Sequence, residues 1–228
     1  MIIAVTGMAR EARLIAQAGV LSVVGGGDID ALEKRIDAAV ARGGRRVLSL
    51  GICGALCPEL KVGDVVIASE IVTPDAVYTT NAAWTRELAA RIPHAFVAPM
   101  AGINSVSGDP ANKADLRVTT EARTVDMESH VAARAALAHG LPFAALRVVS
   151  DGAHRSLPHA AQIALHPSGG VDMPAVLRSV LRAPLQILPL IRTAWEAEIA
   201  FAALLRCCSV LHTGFMRPNL GELALDVA

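Results

Sequence analysis

The stretch LPFAALRVVSD, residues 141–151, is apolar on both faces for most of its length and stops at an acid. A strand with one wetted face alternates between apolar and polar side chains, whereas an unbroken apolar run belongs to a sheet covered by helices on both sides, the habit of parallel sheets. Two charges interrupt the run. Arg147 inside it and Asp151 at its end are both costly to bury unless each has a partner. A structural Arg–Asp pair would account for them, and so would a polar site at the strand end.

Neighbouring segments repeat a strand-then-helix pattern. IIAVT (2–6) is a β-branched run ended by Gly7, and AREARLIAQAG after it is helix-like up to Gly19. Residues 20–24 read as a second strand, closed by Gly25, Gly26 and Gly27; an amphipathic helix, DIDALEKRIDAAVARGG, follows with Asp28 or Asp30 as its cap. RRVLSLG is a third strand leading into a small-residue turn, ICGAL, and KVGDVVIASEIV (61–72) gives a turn at Gly63-Asp64 and then a strongly β-branched strand. A helix is expected over 78–91, strands over 95–99 and 103–107, and a turn at GDPAN (108–112). RTVDMES ends a strand and opens a helix over 131–138, rich in residues of high helix propensity.

The fold class is therefore α/β, with a central mixed, mostly parallel sheet flanked by helices. Ligands in such folds bind beyond the carboxyl ends of the strands, and Glu11, Glu128 and Asp151 all lie just past expected strand ends.

Composition narrows the function. The 228 residues carry no net charge, so there is no basic field to track a phosphate backbone, which argues against nucleic-acid binding. Aromatics make up 3% of the chain, which leaves little scope for stacking a ligand between rings. Four cysteines, Cys53, Cys57, Cys207 and Cys208, form neither a disulfide framework nor a zinc spacing and fit a reducing cytoplasm. The start, MIIAVTGMAREARL, has charges where a signal peptide needs its apolar run.

The chain reads as one domain over 1–228, with an apolar helical extension over 173–211 and an irregular tail over 214–228. SVLRAPLQILPLIRTAWEAEIAFAALLRCCSVL (179–211) is broken by Pro184 and Pro189 and dotted with arginines, and its longest uncharged run, 183–191, falls far short of the roughly 20 residues a membrane span needs. A helical lid, a segment touching a membrane surface and a helix packed on the core or at a subunit contact all stay open.

Asp126 and Glu128 flank Met127 at the start of the 131–138 helix. Attraction to the helix dipole, about 0.3–1 kcal/mol, would explain such acids alone. Taken with Glu11, Arg147 and Asp151, they also suit a site in which one acid protonates a leaving group and others steady positive charge.

GICGAL (51–56), KVGDVVIASE (61–70), SGD (107–109), VDMES (125–129) and RVVSD (147–151), in this order and at these separations, resemble the nucleoside phosphorylase and nucleosidase superfamily, most of all its methylthioadenosine/S-adenosylhomocysteine nucleosidase branch. The resemblance covers residues 1 to about 155 and implies a partly closed sheet surrounded by helices. It implies that Asp151 donates a proton to N7 of a purine and that Ser150 orients it. Glu128 would bind ribose hydroxyls and steady an oxocarbenium-like transition state over the wall made by Met127, while Asp126 supports the sugar pocket or caps the helix. In phosphorolytic relatives an arginine and a serine bracket the glycine of the GICGAL-like turn; here Ser49 and Ile52 stand there. In hydrolytic relatives a glutamate and an arginine at the positions of Glu11 and Arg147 hold water, so the resemblance favours hydrolysis over phosphorolysis, although Ile52 also replaces a serine usual in nucleosidases.

Pro110-Ala-Asn stands where an aromatic residue usually packs on adenine, and the proline-broken C-terminal segment resembles the hopanoid-associated members of the superfamily. These imply release of adenine from a hydrophobic 5′-substituted adenosine, adenosylhopane, in hopanoid biosynthesis. The alternatives are an ordinary methylthioadenosine-type nucleosidase and, from another class, a non-catalytic nucleoside-binding protein. The resemblance implies a homo-oligomer and neither a metal nor an organic cofactor. The expected location is cytoplasmic, with peripheral membrane contact through 179–211.

Overall fold

The computed structural model describes residues 1–17, 19–166 and 168–214. The elements are β1 (Ile2–Thr6), α1 (Ala9–Ile15), β2 (Val20–Val24), α2 (Ile29–Ala41), β3 (Arg46–Ala55), β4 (Val65–Val72), β5 (Val77–Thr79), α3 (Ala82–Arg91), β6 (Phe96–Gly102), α4 (Pro110–Thr120), β7 (Thr124–Asp126), α5 (Ser129–Ala138), β8 (Phe143–Asp151), α6 (His159–Gln162), α7 (Met173–Arg182) and α8 (Ile187–Gly214). Strands β1, β2, β3 and β8 run parallel, as do β4, β6 and β7. Antiparallel pairings join β3 to β7, β4 to β5 and β4 to β8.

Following the partners from β3 through β8, β4, β6 and β7 returns to β3, so five strands close on themselves while β1 and β2 extend one edge. β8 lies between β3 and β4, which is why LPFAALRVVSD has no wet face. Its side chains feed two apolar layers. Phe143, Ala145 and Val149 join α2 and α5 on one side, and Ala144, Leu146 and Val148 meet α8 on the other.

Several expectations are corrected. ICGAL is not a turn but the second half of β3, paired with β8 as far as Gly54. Gly54 within it leaves room for the side chain of Asp151, as Gly51 just before it does for Arg147, rather than bending the chain. The helix expected over 78–91 begins at Ala82, because Asn81 accepts a hydrogen bond from the Trp84 N–H (2.9 Å) and Tyr78 belongs to β5. Residues 95–99 and 103–107 are not two strands; β6 spans Phe96–Gly102 and the segment after it is irregular. GDPAN opens α4: Asp109 accepts from the Ala111 N–H (2.7 Å), and Pro110 takes a first-turn position that needs no N–H. The first helix ends at Ile15, short of Gly19.

The C-terminal extension resolves into α7, a short 3-10 turn at Pro184–Gln186, and α8. Residues 215–228, most of the expected tail, lie outside the described residues, and Gly214 ends α8. α8 has two characters. Ala200, Phe201, Leu204, Cys208 and Leu211 pack under the sheet, whereas Leu188 (77% exposed) and Trp195 (70%) face outward. Ion pairs from Glu198 to Arg10 and from Glu196 to Arg155 tie the middle of the helix down, and Arg192–Glu196 is a pair within the helix. Among the described residues no helix is long and apolar enough to cross a membrane.

This division has a measurable consequence. Leu204→Ala is expected to cost about 2–5 kcal/mol of stability, because the cavity it leaves is fully enclosed. Leu188→Ala is expected to change stability by less than about 0.5 kcal/mol. Urea unfolding of the two variants checks both.

Candidate active site

The carboxyl ends of β1, β6, β7 and β8 surround a cavity of about 250 Å³. Glu11, Asp126, Met127, Glu128, Ser150 and Asp151 all line it, so six of the seven residues picked from the sequence share one wall system. The seventh, Arg147, lies directly beneath, with no exposed surface.

Arg147 sits opposite Gly51 in the β3–β8 register. A Cβ on Gly51 would fall 2.5 Å from Arg147 Nη1 and 2.6 Å from Glu11 Oε1, so glycine is required for the guanidinium and the carboxylate to approach the same point. Arg147 Nη2 donates to Ser49 Oγ (2.8 Å) and Asp126 Oδ1 (2.9 Å) and lies 3.6 Å from Glu128 Oε2. Ser49 therefore serves Arg147 and is buried behind the cavity.

Each acid is held differently. Glu11 folds back on its own helix start, accepting from the Gly7 (2.9 Å) and Met8 (2.8 Å) N–H groups on one oxygen and from Ile52 N–H (2.9 Å) on the other. Burial pushes its carboxyl above the ordinary value, against the pull of Arg147 and those hydrogen bonds. Asp126 accepts from the Glu128 (2.8 Å) and Ser129 (2.7 Å) N–H groups and from Ser129 Oγ (2.6 Å). It thus caps α5 and anchors Arg147 at once. Its burial is more than offset by Arg147 and Ser129, which hold it below the usual range.

Glu128 is the outlier. Burial, with Asp126 and Glu11 nearby and only partial relief from Arg147, pushes it up to about 8. Its approach to the β1 end is equally tight, since a Cβ on Gly7 would fall 2.7 Å from Glu128 Oε1.

Asp151 is aimed by an irregularity. The β3–β8 register pairs Cys53 with Val149 and Gly54 with Asp151, so Ser150 is an extra residue in the ladder, a bulge of the kind that redirects a side chain. Ser150 Oγ lies within hydrogen-bond reach of the Cys53 carbonyl (3.0 Å) and Asp151 Oδ1 (3.1 Å), and its single proton can serve either. Asp151 Oδ2 accepts from Lys113 Nζ. The sequence reading did not single out Lys113. Its one sequence signal is a lysine in the first turns of a helix, where the dipole disfavours a cation.

Much of the remaining wall is aliphatic: Ile52, Val106, Leu157, Leu165 and Val171 among others. Ile103 and Ser105 to Ser107, from the irregular segment after β6, also line the cavity. Cys53 lines it too, and all four cysteines are buried and free. Among the described residues no cluster of histidine, cysteine or acidic side chains is arranged to hold a metal.

The match of residues 3–182 to the Phosphorylase superfamily places the chain in that family. Solved structures share its fold. The 5′-methylthioadenosine/S-adenosylhomocysteine nucleosidase of Helicobacter pylori, in complex with a pyrrolidine-based ligand, superimposes with a TM-score of 0.66 at 16% identity, over 93% of this chain and 97% of that one. The futalosine hydrolase of H. pylori strain 26695 gives 0.65 at 15% identity over 93% and 97%. The Colwellia psychrerythraea methylthioadenosine/S-adenosylhomocysteine nucleosidase, in complex with adenine, gives 0.61 at 15% over 92% and 95%. No curated protein matches the chain by sequence. Family and fold together place it among enzymes that cleave nucleosides at the N-ribosyl bond.

Two variants probe this geometry. A carboxyl that keeps its proton when folded penalises folding wherever the unfolded chain has already released it, so Glu128 costs stability increasingly as pH rises from 4.5 towards about 8. Glu128→Gln is therefore expected to raise Tm at pH 8 and to leave it nearly unchanged at pH 4.5, with roughly 2–4 °C for each kcal/mol recovered. Gly51→Ala is expected to destabilise the fold and abolish ligand binding, read by calorimetry.

Proposed function

We propose that this enzyme hydrolyses the N-glycosidic bond of a hydrophobic 5′-substituted adenosine and releases adenine. Adenosylhopane, whose cleavage belongs to hopanoid biosynthesis, is the substrate that best fits the aliphatic wall and the C-terminal helices. The single observation that carries hydrolysis over phosphorolysis is the charge of the cavity. Among the described residues Glu11, Asp126, Glu128 and Asp151 line it, and no arginine, lysine or histidine does. A phosphate dianion would have to enter a ring of acids with no cation in the described wall, whereas water suits it.

In this reading Asp151 gives its proton to N7, so the base leaves as neutral adenine. Glu128 hydrogen-bonds the ribose hydroxyls; neutral in the empty cavity, it releases its proton to solvent as positive charge develops on the sugar, and the carboxylate so formed steadies that cation as the bond breaks. Met127 forms the wall under the sugar, Ser150 holds Asp151, and Asp126 acts through Arg147 and the start of α5. Glu11 accepts a proton from the water that adds to C1′. Its raised proton affinity moves it towards the strength a general base needs near neutrality. Arg147 balances the acids from below and keeps Glu11 in place.

The 5′ side of the substrate is read from the walls of α6 and the segment after it. Ala161, Ala164, Leu165 and Val171 line the cavity, and Val171 is half exposed. Met173, Leu177 and Leu181 on α7, Leu185 (93% exposed) in the 3-10 turn and Leu188, Ile191 and Trp195 on α8 make up an exposed apolar ridge, interspersed along the chain with Arg178, Arg182 and Arg192. Aliphatic and aromatic side chains interleaved with arginines suit the surface of an anionic membrane, from which a lipid-linked nucleoside would be drawn. A homo-oligomer, also expected from the resemblance, could bury the same ridge. Fluorescence of Trp195 separates the two: a blue shift on adding anionic vesicles supports the membrane, and protein-concentration dependence without vesicles supports a second copy.

The substrate is tested by adenine release from adenosylhopane in detergent, from 5′-octylthioadenosine and from 5′-methylthioadenosine. Preference for the two hydrophobic substrates is expected, and turnover of methylthioadenosine alone would assign an ordinary nucleosidase. Asp151→Asn is expected to lower the rate about 10²–10⁴-fold. Ligand binding without turnover of any of the three by the parent enzyme would favour a binding protein.

A further inference from the structure

Helix α4 has one buried residue, and it is a lysine. Lys113 has no exposed surface, and its ammonium donates to Asp151 Oδ2, to the Gly152 carbonyl (3.0 Å) and, at longer range, to the Arg155 carbonyl (3.4 Å). Three acceptors and no donor surround Nζ, which is the environment of a charged ammonium with its three N–H groups in use. Burying that charge is costly unless acceptors replace the lost water. Asp151 Oδ2 and the two carbonyls do so, which leaves Asp151 Oδ1 as the oxygen to carry the proton, and Lys113 is itself absent from the cavity wall, where it could touch substrate.

The pairing sets the geometry of Asp151. With Oδ2 taken by Lys113 and Oδ1 within reach of Ser150 Oγ, rotation of the carboxyl is restrained from both sides. It also sets the energetics of proton donation. An acid that gives up its proton inside a protein becomes a buried anion, and a fixed ammonium stabilises that anion at the moment it forms.

We propose that Lys113 is the positioning residue of the proton donor. It locks the Asp151 carboxyl towards the leaving base and stabilises the carboxylate left when the proton has passed to N7. This rests on the reading of Asp151 as the acid. The step itself breaks the Asp151 O–H bond and forms N7–H; Lys113 keeps its protons throughout.

The test uses two substrates with the same 5′-octylthioribose and different leaving groups. Adenine needs a proton to depart, whereas 4-nitrophenolate does not. Lys113→Met is expected to lower kcat/KM for the adenine substrate by about 10²-fold or more and for the nitrophenyl substrate by less than about 5-fold, and Lys113→Arg to restore part of the difference. Equal losses on both substrates, or no loss on either, would mean that Lys113 only holds the fold. Asp151→Asn is run alongside. A split there with none in Lys113→Met overturns the role of Lys113 alone, and no split in Asp151→Asn overturns the acid assignment and this proposal with it. Should Lys113→Met fail to fold, the double variant with Asp151→Asn removes the ammonium and its acid partner together. The double variant is expected to match Asp151→Asn on the adenine substrate, and a further 10-fold loss would show that Lys113 acts independently of Asp151.

Discussion

A guanidinium with no exposed surface lies in the middle of the sheet, and the site is arranged around it. Removing a charge of that size from water is tolerable only where carboxylates and hydrogen-bond acceptors replace the solvent. Arg147 obtains part of this at Nη2, from Asp126, Ser49 and Glu128, with Glu11 across the open face of Gly51, while Nε and Nη1 are buried without a hydrogen-bond partner among the described residues and lean on the neighbouring carboxylates by charge alone. The requirement reaches far along the chain. It demands a glycine in β3, a hydroxyl two residues earlier, an acid at the end of β7 that also caps α5, and an acid on the first turn of α1. Changing any one of these removes a counter-charge, a hydrogen bond or the space on which the buried guanidinium depends.

The balance of charges explains why the acids differ in strength. One cation beneath three carboxylates cannot satisfy all of them equally. Asp126, with the shortest contact and the most hydrogen bonds, keeps its negative charge; Glu128, more loosely paired and nearest the sugar position of the proposed complex, keeps its proton to about 8. A site tuned this way is under-compensated while empty and gains most when positive charge appears on a bound sugar, which is the condition for transition-state rather than ground-state stabilisation. Asp151 stands apart from this cluster, with its own cation on α4. Separate partners for the proton donor and for the sugar-side acids let each be held in its own state.

Much of this was legible in sequence and some was not, for physical reasons. β1, β2, β8 and α2 announce themselves because their apolar spacing answers to burial in one sheet and to caps such as Asp28. ICGAL misled because small residues serve turns and crowded strand centres alike, and only the partner strand tells them apart. α4 was missed because Pro-Ala-Asn reads as a turn until Asp109 is seen to cap it. Glu11, Asp126, Glu128, Arg147 and Asp151 were each visible as costly or well-placed charges, yet their convergence needed the sheet order. Lys113 was invisible because its justification lies 38 residues away, on another element.

In the proposed reaction these acids steer water, rather than phosphate, onto C1′ of a ribose. The most direct measurement is turnover in H₂¹⁸O buffered with phosphate, followed by mass spectrometry of the released sugar. Free sugar carrying one ¹⁸O at C1′ from the first turnover is the result expected of a cavity lined by Glu11, Glu128 and Asp151. A sugar 1-phosphate, with no label on C1′ beyond that of the added phosphate, would contradict it.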